Sequence, residues 1–222
     1  MRIVLYYHSV MPVSKYGGSQ RVVMWLGRGL AELGHHVYLM SFPGSRADFA
    51  ECIWVSNQRD LVRKLPADAE VVHLRSNPES EFPRPVLVTI GGNYSDGRRF
   101  HPDTVFLSRS HARRHHARRF VYNGLDPADY EFRPAPAGYL LFLSKVRWKV
   151  KGVHWALEVA RRTGLPLIVA GGWRPSLRRN VRFVGMVGDE RTRELLAGAR
   201  ALIFPTLWPE PLGNVVTEAL AA

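Results

Sequence analysis

Short apolar runs alternating with helical patterns limit what this chain can fold into. Residues 3–7 form a continuous apolar stretch, and residues 36–40 form another. Between them Val22, Val23, Leu26, Leu30 and Leu33 recur at the spacing of one helix face, with Gly34 as the stop. A strand, a helix and a strand in so short a span make a βαβ unit, and its short crossover implies parallel pairing. Strands apolar throughout, rather than alternating, suit a sheet covered on both faces. Further strands are expected at 51–55, 70–74, 86–90 and 104–107. A short basic helix is expected at 110–118, with His111, His115 and His116 on a solvated face.

Residues 126–138 interrupt this pattern. Pro127, Pro134 and Pro136 are incompatible with a helix interior or a central strand, so the stretch reads as a linker. Asn123-Gly124 just before it is a turn tolerant of left-handed backbone. The alternation then restarts, with strands at 139–143, 167–170, 181–184 and 201–204. Helices follow at 152–162 and 189–197, and one more opens after residue 213. The expected fold class is therefore α/β: two Rossmann-like parallel-sheet halves facing a cleft. Residues 1–125 form the first half, 126–138 the linker and 139–222 a partial second half.

Charge narrows the partners. Lys and Arg number 31 against 19 acidic residues, a net charge of +12 that attracts nucleotides, nucleic acid or an acidic membrane surface. No run reaches the roughly five or six like charges of a binding tail. Cys52, the single cysteine, rules out an internal disulfide framework and is expected in the core. The first residues have neither a basic n-region nor a cleavage site, and no apolar run approaches the roughly 18 residues of a membrane span. A cytoplasmic location is the expectation.

The most informative stretch is the last one. Two carboxylates, Glu210 and Glu218, lie eight positions apart, with a Pro211-Leu212-Gly213 turn after the first and a helix-forming run under the second. Strand, glycine-containing loop, then helix points unpaired backbone N–H groups at a bound anion. Asn214 is expected as the N-cap, its side-chain oxygen reaching the amide of Val216 or Thr217. A phosphate on the amides of Gly213, Asn214, Val215 and Val216, with a carboxylate on either side for hydroxyl groups, suits a ligand such as a nucleotide-sugar.

Four separated motifs occur in order: the Gly17-Gly18 loop after the first strand, Asn123-Gly124-Leu125-Asp126 at the linker, Lys145 with Lys151-Gly152, and the Glu210-x7-Glu218 pair. In this combination the chain resembles a retaining GT-B glycosyltransferase of family 4, the group 1 type, with an apparently truncated second half. The resemblance implies that Glu210 contacts donor-sugar hydroxyls and Glu218 the nucleotide ribose. It assigns sugar and diphosphate to Leu212, Gly213, Asn214, Val215 and Val216, and the diphosphate clamp to Lys145 and Lys151. Developing negative charge on the leaving diphosphate suits two ammonium groups and a helix N-terminus. The resemblance implies no metal and no cofactor beyond the nucleotide-sugar substrate. Ser144-Lys145 replaces the family's usual Gly-Arg, so Arg147 or Lys149 shares or takes over the clamp. Thr89-Ile90-Gly91-Gly92 lacks a histidine common in the family.

Smaller candidates attach to this reading. Gly17 and Gly18 allow close backbone approach to phosphate or acceptor. Residues 171–173 follow a strand end on the donor side, and Tyr6, Tyr7 and His8 end the first strand on the acceptor side. The implied activity is transfer of a sugar to an acceptor hydroxyl with retention. The net positive charge, by itself, suits an anionic lipid-linked or envelope-glycan acceptor, with peripheral contact at the inner membrane face. Two other readings stay open. One is a nucleotide-sugar-binding fragment without turnover, or half of a split enzyme, with self-association or a complementing chain covering the truncated edge. The other is a basic nucleic-acid-binding protein, which accounts for the charge but not for the carboxylate pair.

Overall fold

The computed structural model describes residues 1–15, 17–94 and 96–222. The chain divides into two units: Met1–Val13 with Gly17–Gly124 forms the first, and Leu125–Ala222 is the main body of the second.

The first unit runs β1 (Arg2–Tyr7), α1 (Gly18–Glu32), β2 (His36–Ser41), β3 (Glu51–Trp54), α2 (Gln58–Arg63), β4 (Val71–Leu74), β5 (Val86–Ile90), β6 (Thr104–Phe106) and α3 (Arg109–Arg114). Its strands lie in the order β3-β2-β1-β4-β5-β6, each neighbouring pair parallel. Residues alternate between the two faces of each strand, and both faces are covered. Val4, Met40, Val72, Leu74 and Val88 pack into one core with Phe106, while Leu5 and Leu39 pack with Met11 and Val23 in a second core. The direction of strand addition reverses between β1 and β4, and the carboxyl ends of strands beside such a reversal are where α/β sheets take ligands.

The second unit runs β7 (Tyr139–Leu143), α4 (Val153–Thr163), β8 (Leu167–Ala170), β9 (Val181–Gly185), α5 (Asp189–Ala197), β10 (Ala199–Leu202) and α6 (Asn214–Ala221). The strand order is β10-β7-β8-β9, again parallel throughout. Val153, Ala156 and Ala160 form the buried stripe of α4, against Phe142, Leu167 and Val169. The reversal here falls between β7 and β10, the strands that precede the two predicted charge-bearing loops. This architecture is the expected α/β fold with two parallel sheets.

Several local expectations need correcting. Helix α2 was not anticipated: its six residues are too short for a periodic pattern. It forms because the Asn57 side chain accepts from the Asp60 amide, and the Asp60 carboxylate accepts from Ser56 N at 3.0 Å. Strand β10 starts two residues earlier than expected, at Ala199, with an irregular register between Ala199 and Ala201. Residues 127–129 form a 3-10 turn opened by Asp126, and Tyr130 beyond it packs into the second unit's core. Cys52 is only half-buried, because β3 is an edge strand of the first sheet. His111 is not solvated: it is fully enclosed against Phe106, its ring accepting from Leu107 N at 3.3 Å and its Nε2 3.1 Å from Gly92 O. Burial pushes its pKa down to about 4.

Candidate active site

Two loops leave the second sheet on either side of its reversal point. One follows β7 and leads through a 3-10 turn (Lys149–Lys151) into α4. The other follows β10 and carries Glu210 toward α6. Backbone contacts hold them together: Leu207 N donates to Val150 O at 2.7 Å, and the Thr206 hydroxyl to the same carbonyl at 3.3 Å. Gly152 makes this approach possible. Its φ is +70°, and a Cβ there would lie 2.0 Å from Pro205 O.

This seam brings Lys151 and Glu210 together although 59 positions separate them: Lys151 Nζ donates to Glu210 Oε2 at 2.6 Å. Their side chains are only 10% and 18% exposed, so solvent screens the pair far less than it would at the surface. Trp208 Nε1 donates to the same oxygen, and the Lys151 ammonium lies 4.8 Å from the centre of the Trp208 ring. Trp208 meets Trp148 edge to face at 6.4 Å, and Lys145 Nζ lies 4.4 Å above the Trp148 ring. The two predicted clamp lysines are thus spaced by two indoles, and each is held by a ring face. Sequence reasoning missed both tryptophans. The adjacency of Trp208 to Pro209-Glu210 was the available signal.

The other predicted residues take distinct places. Arg147 and Lys149 are exposed on the loop after β7. Gly213, not Asn214, is the N-cap of α6. Its left-handed backbone (φ +79°) starts the helix one residue early, no side chain caps it, and Phe204 closes the space a Cβ would need. Asn214 is consequently the first helical residue. Val216 N donates to Gly213 O at 2.9 Å, so that amide is turned into the helix start, while Leu212 and Val215 are partly buried beside it. Glu218 is 1% exposed and accepts from the Tyr130 hydroxyl at 3.0 Å. Tyr130 was hidden inside the presumed linker. Gly171 (φ +106°) packs against Ser144 O, which brings the loop after β8 beside the Lys145 loop, with Trp173 exposed. Gly17 and Gly18 open α1 in the first unit. A Cβ on Gly17 would meet Val13 at 2.6 Å, so close packing is one reason for glycine there.

Chemically, the seam offers two ammonium groups, a carboxylate fixed by an indole and an ammonium, and a glycine-capped helix start at one sheet reversal. Such an arrangement can hold an anion next to hydroxyl groups.

Residues 137–222 match the family model described as Glycosyl transferases group 1. Among solved structures, the chain is similar to AviGT4, a glycosyltransferase involved in avilamycin A biosynthesis. That likeness has 27% identity and a TM-score of 0.81, over 99% of this chain and 76% of the other. The sucrose-phosphate synthase of Thermosynechococcus elongatus shares the fold at 17% identity and a TM-score of 0.71, over 99% of this chain and 78% of the other. WaaG, a glycosyltransferase involved in lipopolysaccharide biosynthesis, does so at 19% identity and a TM-score of 0.67, with the same coverage. No curated protein sequence matches. The family match over the second unit and the likeness to AviGT4 along the chain indicate a glycosyltransferase built on the GT-B fold.

Proposed function

We propose that the chain transfers a sugar from a nucleotide-sugar to an acceptor hydroxyl with retention of configuration, in the manner of family 4. The observation that carries this reading is the Lys151–Glu210 contact at the reversal point of the second sheet. In the free protein the two charges compensate one another. A bound donor replaces each half of that pair: its diphosphate takes the Lys151 ammonium, and its sugar hydroxyls donate to the released Glu210 carboxylate. Lys145 adds a second positive charge, and the start of α6 presents backbone N–H dipoles. As the bond from the anomeric carbon to the phosphate oxygen breaks, negative charge grows where these cations stand. The acceptor oxygen bonds to the anomeric carbon on the same face, and its proton passes to the departing phosphate. The chain's own cations supply the electrostatics of this scheme, so it needs no metal. The family resemblance assigns Glu218 to the ribose, and the Tyr130 hydroxyl holds its buried carboxylate in place.

The test is calorimetry with UDP, GDP and ADP, beside transfer and hydrolysis assays with the matching sugars. Binding of one nucleoside diphosphate, lost in Lys151→Ala, together with turnover of its sugar is the expected result. Binding without turnover under any pairing would leave only a nucleotide-sugar-binding role. The net charge of +12 further supports contact with an anionic membrane surface, since no helix among the described residues is long and apolar enough to cross one. Sedimentation with liposomes should rise with their anionic lipid content; indifference to that content would rule the contact out.

A further inference from the structure

Arg75 follows directly on β4, at the carboxyl end of the strand that flanks the reversal point of the first sheet. The registers Leu5↔His73 and Leu74↔Val88, carried onward, set it beside the ends of β1 and β5. Its guanidinium runs along the end of β5: a Cβ on Gly91 would lie 3.0 Å from Arg75 Nη2. Glycine at that position therefore leaves room for the planar group. The side chain is partly buried, and burial pulls its pKa below the usual arginine value, with the Tyr7 phenol the group that opposes the shift.

Among the described residues no carboxylate stands within ion-pair distance of Arg75 and no hydrogen bond engages its N–H groups. Two other arginines of this unit are satisfied: Arg84 donates to Ala67 and Ala69 carbonyls, and Arg98 is paired with Asp96. A partly desolvated cation without a counter-charge is less stable than one in open water, and an arriving anion offsets that cost. A guanidinium presents its donors in a fork that matches carboxylate and phosphate oxygens. Carboxyl ends of strands beside a reversal are where α/β sheets take ligands.

We propose that Arg75 is an oxyanion receptor for the acceptor, and that the acceptor sugar carries a carboxylate or a phosphate. This rests on the glycosyl-transfer reading, with the first unit taking the acceptor. Tyr7 and the Gly91-Gly92 backbone form the rest of the receptor's surroundings.

The 222-residue chain is titrated with D-glucuronate, glucose 6-phosphate and neutral D-glucose, following the Arg75 Nε–Hε resonance, which is assigned by its absence from Arg75→Lys. Calorimetry on wild type and Arg75→Gln runs in parallel. We expect one or both anions, and not glucose, to shift the resonance. Arg75→Gln should weaken that binding at least tenfold while nucleoside diphosphate binding is unchanged. A preference between the two anions says whether carboxylate or phosphate is the natural group. A resonance unmoved by either anion overturns the proposal, and so does undiminished anion binding in Arg75→Gln. Loss of nucleoside diphosphate binding in that variant overturns it as well, because Arg75 would then serve the donor. Should Arg75→Gln fail to fold, the wild-type resonance and Arg75→Lys, which keeps the charge and loses the fork, decide the matter. Arg75-dependent anion binding in a protein that binds no nucleoside diphosphate would sink the transfer reading and leave the receptor standing.

Discussion

Lys151 and Glu210 are both largely enclosed, so a change at either affects charge balance as well as ligand contact. Lys151→Ala leaves the Glu210 carboxylate facing only the Trp208 N–H. We predict a drop in kcat of about 10²- to 10³-fold, the scale of one lost preorganised donor, and a lowered melting temperature. Steady-state kinetics beside thermal melts would separate the two effects. Trp208 acts through Glu210 and is a positioning residue. Trp208→Phe keeps the ring beneath Lys151 but removes the indole N–H. The loss of one hydrogen bond to a charged group, about 1.5–3 kcal/mol at most, should appear chiefly in kcat, with nucleoside diphosphate affinity within about twofold of wild type. An equal loss in affinity would place Trp208 in the diphosphate contact instead. Glu210 and Lys151, which the structure brings into contact, were singled out in the sequence by spaced motifs, whereas Trp208 was not, because a lone indole has no spacing signature. Asn214 was misjudged for a related reason: residue type favours it as a cap, but the left-handed glycine beside it decides where the helix begins.

At the level of elements, the strands read most readily are those apolar on both faces, such as β1 and β7, a pattern that parallel sheets favour. β5, β7, β8 and α5 fall where the pattern placed them. α2 escaped because it depends on the Asn57 and Asp60 caps, and β10 slipped because its sequence, Ala199-Arg200-Ala201-Leu202, has little apolar content to mark it. β7 is the element on which the candidate site most depends. It pairs with both β8 and β10, and Leu141 at its centre is fully buried. Leu141→Ala should lower stability by about 2–5 kcal/mol, the range for a truncated core leucine. Because Ile203 N donates to Leu141 O at 2.8 Å, the backbone pairing survives the truncation. Donor affinity measured well below the melting temperature should then hold, and a large loss of affinity there would mean that the packing beneath the seam sets the site's geometry directly.

The whole molecule contains two units with separate cores, and their titratable groups are unevenly shared. Every histidine except His154 lies in the first unit. Two of them are buried with depressed pKa values. His73, hydrogen-bonded to Thr89 at 2.7 Å, is lowered to about 4 by burial and then by the Arg75 charge; His111 is lowered to about 4 by burial, helped by Arg114 and His115. A depressed histidine binds its proton in the unfolded chain before it does so in the folded one. The unfolded state therefore takes up more protons, and stability falls as pH drops through the unfolded value of about 6.5, with the loss complete near pH 4. Each unit of depression is worth about 1.4 kcal/mol, so two such groups remove a large share of a domain's usual margin. The depressed carboxylates, Asp60, Asp96 and Glu158 lowered to about 2 and Glu131 lowered by its Arg133 partner, lose their contribution only as pH falls through the carboxylate range below about 4.5. Between pH 6.5 and 4.5 the loss therefore falls on the first unit. Hydrogen exchange at pH 7 and pH 5 should show protection falling at Val72 and Val88 in β4 and β5 while Leu141 and Val169 in β7 and β8 keep theirs. His73→Gln with His111→Gln should flatten the response of the first unit. Parallel loss of protection in both units would show that they unfold as one cooperative body, and that the buried histidines act on the whole chain rather than on the sheet that encloses them.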